Sequence, residues 1–82
     1  MKLNIKLFAT LKTKVQSNQI SIELPGEQPT VSDLLIEIAA SHPALETSLK
    51  SVLVAVNSEY AFPGQIIQEQ DEIALFPPVS GG

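Results

Sequence analysis

PTVSDLLIEIAASHP, residues 29–43, is the stretch on which the fold turns. Thr30 is a helix-capping residue, and Asp33, three places on, is the acid of a capping box. Val31, Leu34, Leu35, Ile38 and Ala39 recur at i, i+3, i+4, i+7 and i+8, an apolar stripe along one face of a helix. Pro43 closes the segment. A lone amphipathic helix needs an apolar surface to cover, and the chain on either side supplies one.

Upstream, Leu3, Ile5 and Leu7 alternate with Lys2, Asn4 and Lys6, the period-two signature of a strand with one buried face. Phe8 falls on the opposite, polar side. Ile20, Ile22 and Leu24 repeat the pattern, so a second strand is expected, with residues 9–19 as the connection. Leu24-Pro25-Gly26 stops it. Downstream of the helix, residues 44–51 form a second short helix by pattern, and Val52 to Val56 is an unbroken apolar run suited to a central strand. Asn57-Ser58 reads as a turn, Ile66-Ile67 as a short strand or turn, and EIALF as the last strand before Pro77-Pro78 ends pairing. The order is β-β-α-β-β. It builds an α+β domain, a mixed sheet with a right-handed crossover helix packed on one face. That is the ubiquitin-like β-grasp, although pattern alone also admits other α+β topologies. The expected layout is one β-grasp domain over residues 1–76 and an extended tail over 77–82.

The chain has 82 residues, enough for one domain, with 44% hydrophobic and 17% charged residues, as a folded protein requires. It contains no cysteine, which removes disulfides, thiolate metal sites and a cysteine nucleophile. The N-terminal MKLNIKLFATLKTK alternates in polarity and reads as a strand rather than a signal peptide. Nothing approaches the roughly 20 apolar residues of a membrane span. The expectation is a soluble, cytoplasmic protein. The net charge of −4 is polarised: Lys2, Lys6, Lys12 and Lys14 precede any acid, whereas Glu69, Asp71 and Glu72 lie beyond Tyr60 with no base. An acidic chain without arginine lacks the footprint for nucleic acid and suits a partner with a basic docking face.

Groups for catalysis are scarce. His42 is the only histidine and sits before Pro43, where a helix C-terminal cap or an exposed loop position is its expected role. Asp71 and Glu72 are adjacent, with Glu69 two back. On a strand neighbours diverge to opposite faces, so turn formation and solvation outweigh a paired-carboxylate or cation site. None of the glycines falls in a phosphate-loop or dinucleotide spacing. Lys12 and Lys14 serve either as docking contacts or as edge protection. Phe8, Tyr60 and Phe76 are either core or exposed anchors, since aromatic residues are enriched at interface centres.

What remains is FPPVSGG, residues 76–82. Two closing glycines arise by chance in roughly one chain in two hundred at ordinary glycine usage. A free carboxylate on Gly82 has a specific use. With ATP and Mg²⁺ supplied by another enzyme, it attacks the α-phosphate and becomes an acyl-adenylate, open to an amine, a thiol or a sulfide. Glycine leaves the carbonyl approachable and adds nothing that would collide with a narrow channel. Pro77 and Pro78 hold such a tail extended, with Val79 and Ser80 spanning to Gly81.

LFATLK near the start, the TVSDLL helix entry, VLVAVNSEY and DEIALFPPVSGG together resemble the small, sulfur-carrying subunit of molybdopterin synthase, the MoaD family, over the whole chain. The resemblance implies the ubiquitin-like fold, adenylation of Gly82 by an E1-like activating enzyme and conversion to a thiocarboxylate by a sulfurtransferase. It further implies docking of the tail into a large synthase subunit, in a heterotetramer of two small and two large subunits. Sulfur then passes to a pterin precursor in molybdenum cofactor biosynthesis. The chain itself would bind no cofactor and hold no catalytic residue; ATP and Mg²⁺ belong to the activating enzyme. Gly81 would be the spacer threaded into the partner, and Phe8, Tyr60, Phe76 and Lys12 would contact it. The first loop departs from the pattern: relatives often carry arginine where this chain has Thr10 and Lys12, and lysine keeps the charge but not a bidentate geometry. The same fold and tail also fit a sulfur carrier for thiamin or another thiocarboxylate pathway, a ubiquitin-like modifier, or an interaction domain whose glycines are incidental.

Overall fold

A computed structural model describes residues 1–78. Five strands form one mixed sheet: β1 (Lys2–Leu7), β2 (Gln19–Glu23), β3 (Leu53–Val56), β4 (Glu59–Tyr60) and β5 (Ile73–Phe76), in the order β2-β1-β5-β3-β4. The first and last long strands lie parallel at the centre, Ile5 beside Ile73 and Leu7 beside Leu75, and the other pairings are antiparallel. Helix α2 (Val31–Ser41) carries the chain from β2 to β3 across one face. This is the ubiquitin-like β-grasp.

The helix starts where the capping box places it. Thr30 Oγ1 accepts from the Asp33 amide at 3.2 Å, and the Thr30 amide donates to Asp33 Oδ2 at 2.9 Å. Two further amides of the first turn are met from outside: Val31 donates to the Gln65 carbonyl and Ser32 to that of Pro63. The loop after β4 is thereby fixed to the helix entry. Val31, Leu34 and Ile38 are buried and Leu35 and Ala39 pack beside them, as the spacing requires. They close on Leu3, Ile5, Leu7, Ile22, Ile73 and Leu75, and no polar or charged side chain is buried with them among the described residues.

The structure departs from the sequence expectation in three places. Residues 9–19 are not a plain connection but contain a helical turn and a half, α1 (Thr10–Val15), because Leu11 and Val15 at i, i+4 reach the core and Leu11 is fully buried there. Residues 44–51 form two 3₁₀ turns, Pro43–Leu45 and Ser48–Lys50, which bury Leu45 and Leu49. Ile66 makes only an isolated bridge to Thr30, and the extra strand is β4, one turn after β3. That turn is Asn57-Ser58, with φ of 54° and 71°. Both residues take the left-handed conformation that a two-residue type I′ hairpin demands and that Ser58 adopts at a cost.

Candidate functional site: the outer face of the sheet at the root of the tail

Alternation on the central strands sends odd-numbered residues of β1 and β5 into the core and even-numbered ones outward. Phe8, the residue after β1, and Phe76, the last of β5, therefore meet on the outer face. Their rings stack with centroids 4.6 Å apart and planes 9° from parallel. Such a pair contributes about 0.5–1.5 kcal/mol beyond the area it covers. Phe8 remains 41% exposed, and Phe76 is half-buried. Pro77 follows immediately, so this stack is the root from which the tail leaves.

The backbone after Phe8 is forced. Ala9 has φ 53° and ψ −128°, and the Leu11 amide donates to the Phe8 carbonyl at 3.2 Å, a tight turn of the type normally filled by glycine. The turn redirects the chain from β1 into α1. Leu11 points into the core and Lys12 stands beside Phe8, both lining one shallow hollow with Lys6 and Asn18. Lys14 is turned elsewhere and donates to Ser48 Oγ at 2.8 Å.

Cross-strand register brings the remaining members in. Leu53 pairs with Phe76, Ala55 with Ala74, and Tyr60 with Ala55, so all share the outer face. Tyr60 is 75% exposed. On the same face a groove of about 190 Å³ runs from Phe8 and Phe76 past Ala55 and Ala74 to Ser58, with Lys6 and Glu72 at its sides. Ala55 and Ala74 in its floor leave this space open, where larger side chains would fill it. The structure thus gathers Phe8, Lys12, Tyr60 and Phe76 onto one surface. Leu53, 37% exposed, belongs with them and was absent from the sequence reading. Its signal was available only through the β3–β5 register. Pro77 is half-buried and Pro78 exposed; Val79, Ser80, Gly81 and Gly82 lie outside the described residues.

Other candidates resolve into structural parts. Asp71 is a turn residue: Oδ2 accepts from the Gln68 amide at 2.8 Å and Oδ1 from Asn57 Nδ2 at 3.0 Å. The Glu72 amide donates to Asn57 Oδ1, so Asn57 clamps the loop before β5 to the β3–β4 turn. His42 caps the end of α2, its amide donating to the Ile38 carbonyl at 2.7 Å. Among the described residues no group of three or more His, Cys, Asp or Glu could hold a metal ion. No described helix is long and apolar enough to cross a membrane.

A β-grasp domain with an aromatic outer face at the root of a Gly-Gly sequence defines a class, the ubiquitin-like carrier and modifier proteins. Within it, residues 5–82 match the model of the ThiS family, and the chain belongs to that family. It is 36% identical over 84 residues to the molybdopterin synthase sulfur carrier subunit of Chlamydomonas reinhardtii, each chain covered completely. It is 38% identical to small archaeal modifier protein 1 of Haloferax volcanii, covering 94% of this chain and 97% of that one. The crystal structure of SAMP1 from Haloferax volcanii superposes with a TM-score of 0.86 at 36% identity, with full coverage of both chains.

Proposed function

We propose that this protein is a sulfur carrier of molybdopterin synthesis, bearing sulfur as a thiocarboxylate on Gly82. The observation that carries the proposal is the similarity to a molybdopterin synthase sulfur carrier subunit over the full length of both chains, PPVSGG at residues 77–82 included. In the first step the Gly82 carboxylate attacks the α-phosphorus of ATP, held with Mg²⁺ by a separate activating enzyme, and pyrophosphate leaves. Hydrosulfide, released by reduction of a sulfurtransferase persulfide with a thiol, then attacks the acyl-adenylate carbonyl and displaces AMP, giving the thiocarboxylate once its proton is lost. In the large synthase subunit the sulfur passes to the pterin precursor, and hydrolysis restores the carboxylate.

The chain contributes no catalytic group to these steps. Its work is presentation. Phe8, Phe76, Tyr60 and Leu53 dock on the large subunit with Lys12 at the edge of that surface, Pro77-Pro78 stiffens the exit from the sheet, and Gly81-Gly82 offers a carboxyl group with no side chain beside it. Binding energy on the outer face positions a group several residues away, so the reactive end needs little affinity of its own.

Similarity to an archaeal modifier protein favours a second reading, in which the same acyl-adenylate is captured by a lysine amine to give an isopeptide. One experiment separates the readings. The chain is incubated with an E1-like enzyme, ATP, Mg²⁺ and a sulfide source, and its intact mass is measured. Replacement of one oxygen by sulfur adds about 16 Da, and deletion of Gly82 abolishes the gain. Failure of the intact chain to gain this mass with a competent enzyme overturns the carrier reading. Lysine-linked conjugates in the absence of a thiocarboxylate establish the modifier instead.

A further inference from the structure

We propose a second docking site on the opposite side of the domain, where the free edge of β2 meets α2, with an extended basic peptide segment of a partner as its occupant. The strand order leaves β2 terminal in the sheet. Its register with β1 is flanked by the bonds Leu7 amide to Asn18 carbonyl and Leu24 amide to Met1 carbonyl. Counting by twos between them, Ile20 and Ile22 direct their backbone groups to β1, whereas Gln19, Ser21 and Glu23 direct theirs outward. Gln19 is closed off by Ser17, whose hydroxyl donates to its carbonyl at 2.8 Å. Ser21 and Glu23 are left presenting amides and carbonyls along an edge that carries neither lysine nor proline within the strand, the usual guards of such an edge.

The edge runs into a groove of about 360 Å³ between Leu24-Pro25-Gly26 and α2. The helix lines it with Asp33, Ile36 and Glu37, and Ile36 is 68% exposed. Asp33 and Glu37 are like charges at i, i+4, a spacing that costs the helix a little, and no lysine lines the groove. Glu27 stands in the adjoining loop, and Glu23 ends the strand opposite Lys2. Backbone groups open for strand addition, an exposed aliphatic side chain and the Glu37 carboxylate, with no lysine lining the groove, specify one kind of ligand. It is an extended segment that adds a strand to β2, sets an apolar side chain on Ile36 and places Lys or Arg against Glu37, with Asp33, already accepting from the Thr30 amide, adding negative charge one turn away. This surface is separate from the one rooted at Phe8 and Phe76, so both partners can be held at once.

The test uses the ¹⁵N-labelled full chain and two blocked peptides, acetyl-Arg-Val-Thr-Val-Arg-amide and acetyl-Glu-Val-Thr-Val-Glu-amide. At millimolar concentration the basic peptide shifts the Ser21, Glu23 and Gly26 amides and slows hydrogen exchange at Ser21 and Glu23. The acidic peptide binds at least about tenfold more weakly. I36S and E37K, both at surface positions, each weaken the basic peptide about tenfold while leaving the remaining spectrum in place. The proposal is overturned if neither peptide shifts these amides, if both do so equally, or if the shifts centre on Phe8, Tyr60 and Phe76. Shifts at Ser21 and Glu23 that depend on protein concentration without peptide also overturn it, making the occupant a second copy of the chain.

Discussion

On the inner face of the sheet Leu3, Ile5, Leu7, Ile73 and Leu75 are at most 2% exposed. One residue out of phase on the same strands, the outer face carries Lys6, Phe8, Ala74 and Phe76. The inner face is aliphatic, continuous and covered by α2. The outer face is aromatic at one corner, floored by alanine, and bordered by charge. A thin domain of this size has one layer of core to hold it together, so most of its stability must come from the inner set. The outer set is then free to be chosen for what it touches. Substitutions on the two faces should therefore separate into those that change folding and those that change docking.

The largest expected effect is on the inner face. Ile5→Ala removes a fully buried side chain between β2 and β5, and comparable truncations cost about 2–5 kcal/mol. Total stability for a domain this long is on the order of 4–12 kcal/mol, so urea unfolding should show a large fall in midpoint. The fraction still folded should accept sulfur normally; a folded Ile5→Ala protein unable to do so would break the division between faces. On the outer face Phe8→Ala loses the stack on Phe76, about 1 kcal/mol, yet should weaken the large-subunit complex by more than tenfold. The complex is best followed by titration calorimetry, with thiocarboxylate formation as the control that remains intact.

How much of this was legible beforehand differs between the faces for a physical reason. The inner face is written in local periodicity: the 3.6-residue stripe of α2, its Thr30–Asp33 capping box and the alternation of β1 are each visible within a dozen residues. Phe8 was visible as an aromatic residue out of phase with its strand and Phe76 as one just before the tail, but their stacking depends on β1 and β5 lying side by side, which no local pattern contains. Leu53 was hidden in the apolar run Val52 to Val56, where only pairing with Phe76 tells an outward leucine from an inward valine. The helix α1 was missed because its cap is unusual: Ala9 makes no side-chain capping bond and takes a positive φ that sequence preferences assign to glycine. Strand β4 was missed because two residues carry no periodicity, and its turn uses Asn-Ser where Asn-Gly would have announced a hairpin.

That turn offers a smaller test. Ser58→Gly removes the cost of a left-handed serine while adding the freedom of glycine to the unfolded chain, for a net gain of about 0.5–1 kcal/mol. Thermal unfolding measures it directly. Because Ser58 sits at the end of the outer groove, the same variant reports whether docking tolerates a change at the rim. An unchanged affinity would confine the interface to the aromatic corner and Tyr60.

Tyr60→Ala is expected to have the smallest effect on folding and is for that reason the cleanest probe of the outer face. The ring is 75% exposed on a two-residue strand, paired only to Ala55, so its removal should alter stability by no more than about 0.5 kcal/mol. An exposed tyrosine combines a large apolar area with few rotatable bonds and therefore loses little entropy on docking. Alanine there should reduce affinity for the large subunit by about tenfold, chiefly through faster dissociation. If affinity is unchanged while Phe8→Ala remains defective, the docking surface ends at β3 and the β4 hairpin serves only to cover the sheet edge. If stability falls well beyond that bound instead, Tyr60 belongs to the fold, and the outer face contributes to holding the domain together after all.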